Sequence, residues 1–349
     1  MSPSTQDQFP AAGKVSSQRL PRRAPASFDV TACASLCPGV LAVFAAGKSI
    51  MSYSSAFAAV GAHLAASLHV DVDAQPESRV HGGSINESYR WESAPGPLFV
   101  KIASADQLAM FVAEAEGLDE LANVDGVRVP RVLALGSADE CAFLALEWID
   151  LAGSVSAASK QLGAQLARQH RATAAQFGWH RDNTIGSTPQ INTRSASWPE
   201  FFREHRLRYQ LDLAARNGYR GRLQEQGAEL LGRLAEFFAD HEPRPSLLHG
   251  DLWGGNFGVD TSGTPVIFDP AVYYGDREAD LAMTRLFGGF SASFYSAYEA
   301  AWPLSPGARE RTPLYNLYHV LNHLNLFGDG YRAQAESMLA GLLATRRSA

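Results

Sequence analysis

His249, Asp251 and Asn256 stand in the order H-x-D-x-x-x-x-N, and Asp269 follows the apolar run Val266-Ile267-Phe268. Two carboxylates and a carboxamide at this spacing suit phosphoryl transfer. Asp251 would accept a hydrogen bond from an attacking hydroxyl and align it with the γ-phosphorus. Asn256 and Asp269 offer hard oxygen donors. These suit Mg²⁺, which keeps several waters and takes one or two protein ligands beside phosphates. ATP and Mg²⁺ are therefore the expected cofactors. Gly254 and Gly255 let the loop fold so that Asn256 returns beside Asp251. One departure stands out: Asp269-Pro270-Ala271 occupies the place where a protein kinase has D-F-G.

Other residues fit the same chemistry. Lys101 lies inside the apolar run Leu98–Ile102, and a helical stretch bearing Glu114, Glu116 and Glu120 follows it. A strand lysine paired with a carboxylate of that helix would face the α/β-phosphates. Gly82-Gly83-Ser84 forms a turn whose N–H groups could cover phosphates. Backbone groups at Glu147, Trp148 and Ile149 would meet an adenine edge. Asp280 could brace the loop at His249 by accepting its backbone N–H groups. His319 and His323 lack a third metal ligand, so core or cleft positions are expected for them.

These side chains need two kinds of scaffold. Helical spacing at 54–69 and 105–122 alternates with strands near 80–91, 98–102, 132–135 and 141–148. Beyond Asp150 the pattern is helical, at 157–174, 199–217, 222–240, 276–288, 291–301, 314–327 and 331–345, with short strands only around 247–269. The expected fold is α+β and protein kinase-like: a small β-rich lobe at 51–148 that binds nucleotide, and a larger helical lobe at 149–349 that carries catalysis and substrate. No flexible linker separates the lobes, so they should enclose a cleft.

Bulk properties exclude several classes. The net charge of −6 with no Lys/Arg-rich face argues against nucleic acid. No apolar run reaches the ~18 residues of a membrane span. Three widely spaced cysteines, Cys33, Cys37 and Cys141, fit a reducing, cytoplasmic setting without structural zinc. Residues 1–50 read as a disordered extension. Their basic-then-apolar order also admits an organelle-targeting leader.

Over residues 52–345 the chain resembles the fructosamine kinase (ketosamine 3-kinase) family, related in fold to aminoglycoside phosphotransferases and choline kinases. The resemblance rests on Gly82–Asn86, Phe99-Val100-Lys101, Met110-Phe111 with Glu114, Phe143–Glu147, Asp182–Gly186 and Thr188–Asn192. It continues in His249-Gly250-Asp251-Leu252-Trp253-Gly254-Gly255-Asn256, Phe268–Ala271, Tyr274–Met283 and His323–Gly328. It implies ATP- and Mg²⁺-dependent phosphorylation of the 3-hydroxyl of ketosamines, free or protein-bound, giving an unstable product and a freed amine. It selects Glu114 as the partner of Lys101 and sets Trp253 against the sugar. Many members have a phosphate-loop cysteine that permits redox-controlled dimerisation; Ser84 stands there in this chain, so that regulation is not expected. A monomer or weak homodimer is expected. Arg194 stands where the family pattern leads us to expect Trp. Two alternatives stay open: an aminoglycoside- or choline-type phosphotransferase, and a non-catalytic pseudokinase.

Overall fold

The computed structural model describes residues 53–80 and 86–345. The turn at Gly82, Gly83 and Ser84, and residues 1–50 with Cys33 and Cys37, lie outside the described residues. Residues 49–349 form one compact unit.

Five antiparallel strands build the N-terminal sheet: β1 (Ser78–Val80), β2 (Glu87–Trp91), β3 (Leu98–Ser104), β4 (Val132–Ala138) and β5 (Cys141–Glu147). Their spatial order is β1-β2-β3-β5-β4. The period-two alternation of a strand assigns its faces. Along β5, Ala142, Leu144 and Leu146 pack with Phe111, Leu118 and Leu121 of helix α2 (Leu108–Ala122). Phe143 and Ala145 turn the other way, toward Val60 and Leu64 of α1 (Tyr53–Leu68). Lys101 lies opposite Leu144 in register, so its side chain takes the α2 face.

The second lobe begins at α3 (Val155–Gln169), where the Ser154 hydroxyl accepts from the N–H of Ala157. A hairpin of β6 (Asn183–Ile185) and β7 (Thr188–Gln190) follows. Next come α4 (Trp198–Phe202), α5 (Tyr209–Arg216) and α6 (Arg222–Arg233). The strands β8 (Ser246–Leu248), β9 (Phe257–Val259), β10 (Pro265–Ile267) and β11 (Tyr273–Gly275) pair as β8 with β11 and β9 with β10. The chain closes with α7 (Glu278–Leu286), α8 (Ala292–Ala301), α9 (Ala308–Phe327) and α10 (Arg332–Thr345).

Several elements differ from the sequence expectation. Strands β6, β7 and β11 lie outside 247–269, the helices expected at 157–174 and 222–240 end at Gln169 and Arg233, and two further helices change course. The continuous helix expected at 199–217 is widened to π geometry over Arg203–Arg208. There Arg206 turns inward, donates to the Ile191 carbonyl and the Asn192 amide oxygen, and lies 4.1 Å from the Tyr273 ring. The helix expected from 314 starts at Ala308 and runs through Pro313. Proline removes one backbone bond near the helix start. Arg311 holds that turn through two hydrogen bonds, both 2.8 Å, to the Glu278 carboxylate. Both partners are buried. Arg311→Ala is therefore expected to cost roughly 3–5 kcal/mol, because a buried carboxylate loses its counter-ion; a denaturation midpoint close to the parent's would refute this.

Candidate active site

The apolar strand β8 ends at His249, and the chain must then turn sharply to present Asp251. Gly250 makes the turn at φ +83, where a β-carbon would overlap the Ala271 carbonyl oxygen. The loop is fastened from below by Asp280, at the start of α7. Its carboxylate accepts the N–H of His249 at 2.7 Å and that of Gly250 at 2.9 Å. Burial would raise the Asp280 pKa, but the hydrogen bonds from His170 and the Gly250 N–H hold it below the usual range.

His249 is fully buried, and burial pushes its pKa down. The neutral imidazole satisfies both neighbours in one tautomer. Nε2–H donates to the Phe268 carbonyl at 3.0 Å, and Nδ1 accepts the Asp251 N–H at 3.3 Å. His249 thus ties the loop to the segment after β10. Backbone bonds from Phe268 N–H to Asn256 O and from Ala271 N–H to His249 O complete the lacing.

That segment places Asp269 at φ +56, a left-handed conformation that Asp tolerates better than most residues. Its Oδ1 lies 2.5 Å from Lys101 Nζ, and Glu114 Oε1 lies 2.6 Å from the same ammonium. Burial alone would lower the Lys101 pKa. The two carboxylates outweigh it and hold the lysine protonated. Glu116 and Glu120 are engaged elsewhere: Glu116 with His180 and Arg181, Glu120 with the Trp179 indole and the Tyr274 hydroxyl.

Asn256 Nδ2 donates to the Asp251 carbonyl at 2.9 Å and to Asp251 Oδ2 at 3.2 Å. Its amide oxygen accepts no hydrogen bond among the described residues. Asn256 and Asp269 line the same cavity, and each keeps a hard oxygen with no hydrogen bond among the described residues, which fits Mg²⁺ beside phosphates. In the metal-free chain Asp251 is pushed up to about 7, first by burial and then by the Asp269 charge, with Asn256 pulling the other way.

Asp251, Asn256, Asp269, Lys101 and Glu114 all line one cavity of about 180 Å³. Trp253 lines it too, its ring edge-on to Phe287. Gly255 is required there, since a β-carbon would strike the Trp253 ring. His319 and His323 also face this space, and burial takes His319 down to about 3, so it is neutral. A second cavity of about 550 Å³ shares Ser88 and Asp269 with the first. Phe99, Leu146, Trp148, Val266 and Phe268 make it apolar, and Glu147 and Ile149 border it. The Glu147 side chain itself turns to Arg128 and Arg131, which leaves its backbone at the cavity.

Sequence reasoning gave two contributors no site role, although the first lies in a block that carries the family resemblance. Thr184, Ile185 and Gly186, around the β6–β7 turn, form part of the first cavity's wall. Three-residue strands carry too little periodicity to be recognised. His170, at the end of α3, is fully buried against Asp280. No motif marks it, because its partner lies 110 residues away.

Comparison with known proteins agrees with this architecture. The sequence profile of the fructosamine kinase family matches residues 56–345. A Synechocystis protein assigned as a ketoamine kinase is 47% identical over 266 residues, covering 76% of this chain and 89% of the relative. An Arabidopsis thaliana chloroplastic protein-ribulosamine 3-kinase is 43% identical over 263 residues, 74% of this chain and 80% of that protein. A solved structure assigned as a fructosamine-3-kinase from Thermobifida fusca superposes with a TM-score of 0.72 at 36% identity, covering 82% of this chain and 98% of that one. The chain belongs to the fructosamine kinase family.

Proposed function

We propose that this protein transfers the γ-phosphoryl group of ATP to the 3-hydroxyl of a ketosamine, a fructosamine or ribulosamine, and so leads to deglycation of amines. The observation that carries the reading is the convergence of Asp251, Asn256, Asp269 and Lys101 on one cavity beside a larger, apolar one. The family match and the names of its relatives support the acceptor class.

Asp251 orients the sugar hydroxyl and receives its proton as the new oxygen–phosphorus bond forms and the bond to the β-phosphate oxygen breaks. Lys101, held by Glu114, steadies the phosphates. Asn256 and Asp269 would hold Mg²⁺, which when bound neutralises charge on the transferring group. Trp253 lines the sugar side. The segment around Gly82, Gly83 and Ser84 would cover the phosphates. Asp251, Asp269 and Glu114 outnumber Lys101 in the cavity lining, and that acidic balance favours the ammonium of a ketosamine.

No helix among the described residues is long and apolar enough to cross a membrane. Separately, the small number of cysteines favours a reducing, cytoplasmic setting, with organelle targeting through residues 1–50 as the other.

ATP consumption with fructoselysine, ribuloselysine, an aminoglycoside and no acceptor tests the assignment. Turnover is expected with one or both ketosamines and not with the aminoglycoside. Turnover with the aminoglycoside alone would overturn the acceptor class, and none with any acceptor would favour a pseudokinase.

A further inference from the structure

Asp280 grips the catalytic loop, but a buried carboxylate must itself be held. Its Oδ2 accepts two donors, the His249 N–H and His170 Nε2 at 3.1 Å. His170 is fully buried, and its Nδ1 lies 2.8 Å from the Tyr298 hydroxyl of α8. Tyr298 is in turn 3.2 Å from an Arg277 guanidinium nitrogen. Two further Arg277 donors reach the carbonyls of Trp302 and Pro303, and the guanidinium lies 3.9 Å over the Trp302 ring.

One tautomer satisfies every group along this line. Asp280 accepts at Oδ2, so His170 presents an N–H at Nε2. Nδ1 is then an acceptor and takes the Tyr298 O–H. Burial holds that phenol protonated. The Tyr298 oxygen accepts from Arg277, which has donors only. Every link runs in one direction, from a cation fixed near the protein surface to a carboxylate beneath the catalytic loop.

We propose that His170 and Tyr298 are positioning residues for phosphoryl transfer: they fix the Asp280 carboxylate so that the His249 and Gly250 N–H groups, and hence Asp251, hold their reactive geometry. This rests on Asp251 being the catalytic carboxylate. It differs from a role in general stability because the line ends on two particular backbone N–H groups.

His170→Leu removes the donor to Asp280, whereas His170→Gln can keep an amide N–H near the place of Nε2. Tyr298→Phe leaves the ring packing and removes only the O–H. His170→Leu is expected to lower kcat about 30- to 100-fold with KM for Mg·ATP within about twofold, and His170→Gln to recover at least about tenfold. Tyr298→Phe should lower kcat about three- to tenfold at an unchanged melting temperature. Hydrogen exchange in a peptide spanning 247–252 should quicken in His170→Leu and Tyr298→Phe.

Parent-like exchange and kcat in Tyr298→Phe would overturn the proposal, even if His170→Leu fails to fold. So would equal kcat losses in folded Leu and Gln variants. Exchange is read without any acceptor, so a parent protein that phosphorylates no ketosamine would sink the functional assignment and leave this test standing.

Discussion

Asp251→Asn should cut turnover by roughly 10²- to 10⁴-fold while leaving ATP affinity within a fewfold of the parent. The substituted amide has the same shape and can still accept from Asn256 Nδ2, which lies 3.2 Å from Asp251 Oδ2. What it loses is the capacity to take a proton from the sugar hydroxyl. Single-turnover phosphoryl transfer with saturating Mg·ATP isolates that step. Near-parental transfer would remove Asp251 from the chemistry.

The same substitution should stabilise the metal-free chain. Burial and Asp269 lift the Asp251 pKa to about 7 in the fold, above the roughly 3.9 of an unfolded aspartate. Between those values the folded state binds more protons than the unfolded one, so stability falls as pH rises. The penalty is absent below the unfolded value, grows to pH 7 and is constant above it. Asn carries no charge to bury. Its advantage in the presence of EDTA should be small at pH 4 and reach on the order of 2–4 kcal/mol at pH 8. A pH-independent difference would mean that Asp251 is not held in an unfavourable environment. Trading stability for a poised base is common at catalytic sites.

The legible parts of this fold were those whose information is local. Lys101 was readable as a lysine in an apolar strand, and its parity on β3 sends it toward α2. Parity could not choose among Glu114, Glu116 and Glu120. Glu114 was selected by family pattern, and in the structure it is the one within hydrogen-bond distance of Lys101. The loop from His249 to Asn256 was readable because its glycines and polar groups lie within eight residues. The hidden parts depend on distant packing. The sequence pattern was read as helix from 314, whereas α9 begins at Ala308, where Arg311 pairs with Glu278 from a distant helix. The widened turn at 203–208 accompanies the burial of Arg206 beneath Tyr273, a contact that no window of sequence contains.

Asp269→Ala should abolish the contribution of Mg²⁺ to nucleotide binding and take turnover below detection. Asp269 has two tasks: one oxygen holds Lys101 at 2.5 Å, and the other keeps no hydrogen bond among the described residues. Truncation leaves Lys101 paired with Glu114 at 2.6 Å, so the lysine keeps a partner and the fold should survive. Metal-free ATP, which still meets Lys101, should bind about as before. Adding Mg²⁺ should tighten the parent and leave the variant unmoved in a calorimetric titration with a non-hydrolysable ATP analogue. The loss should also reach Asp251, because Asp269 is the second cause of its raised pKa. With that charge gone, the Asp251 pKa should fall and the EDTA-treated variant should lose less stability between pH 5 and pH 8 than the parent does. Retained tightening by Mg²⁺ would place the metal on other groups. An unchanged pH slope would show that burial alone perturbs Asp251. The two readouts thus separate Asp269 as a ligand from Asp269 as a neighbouring charge.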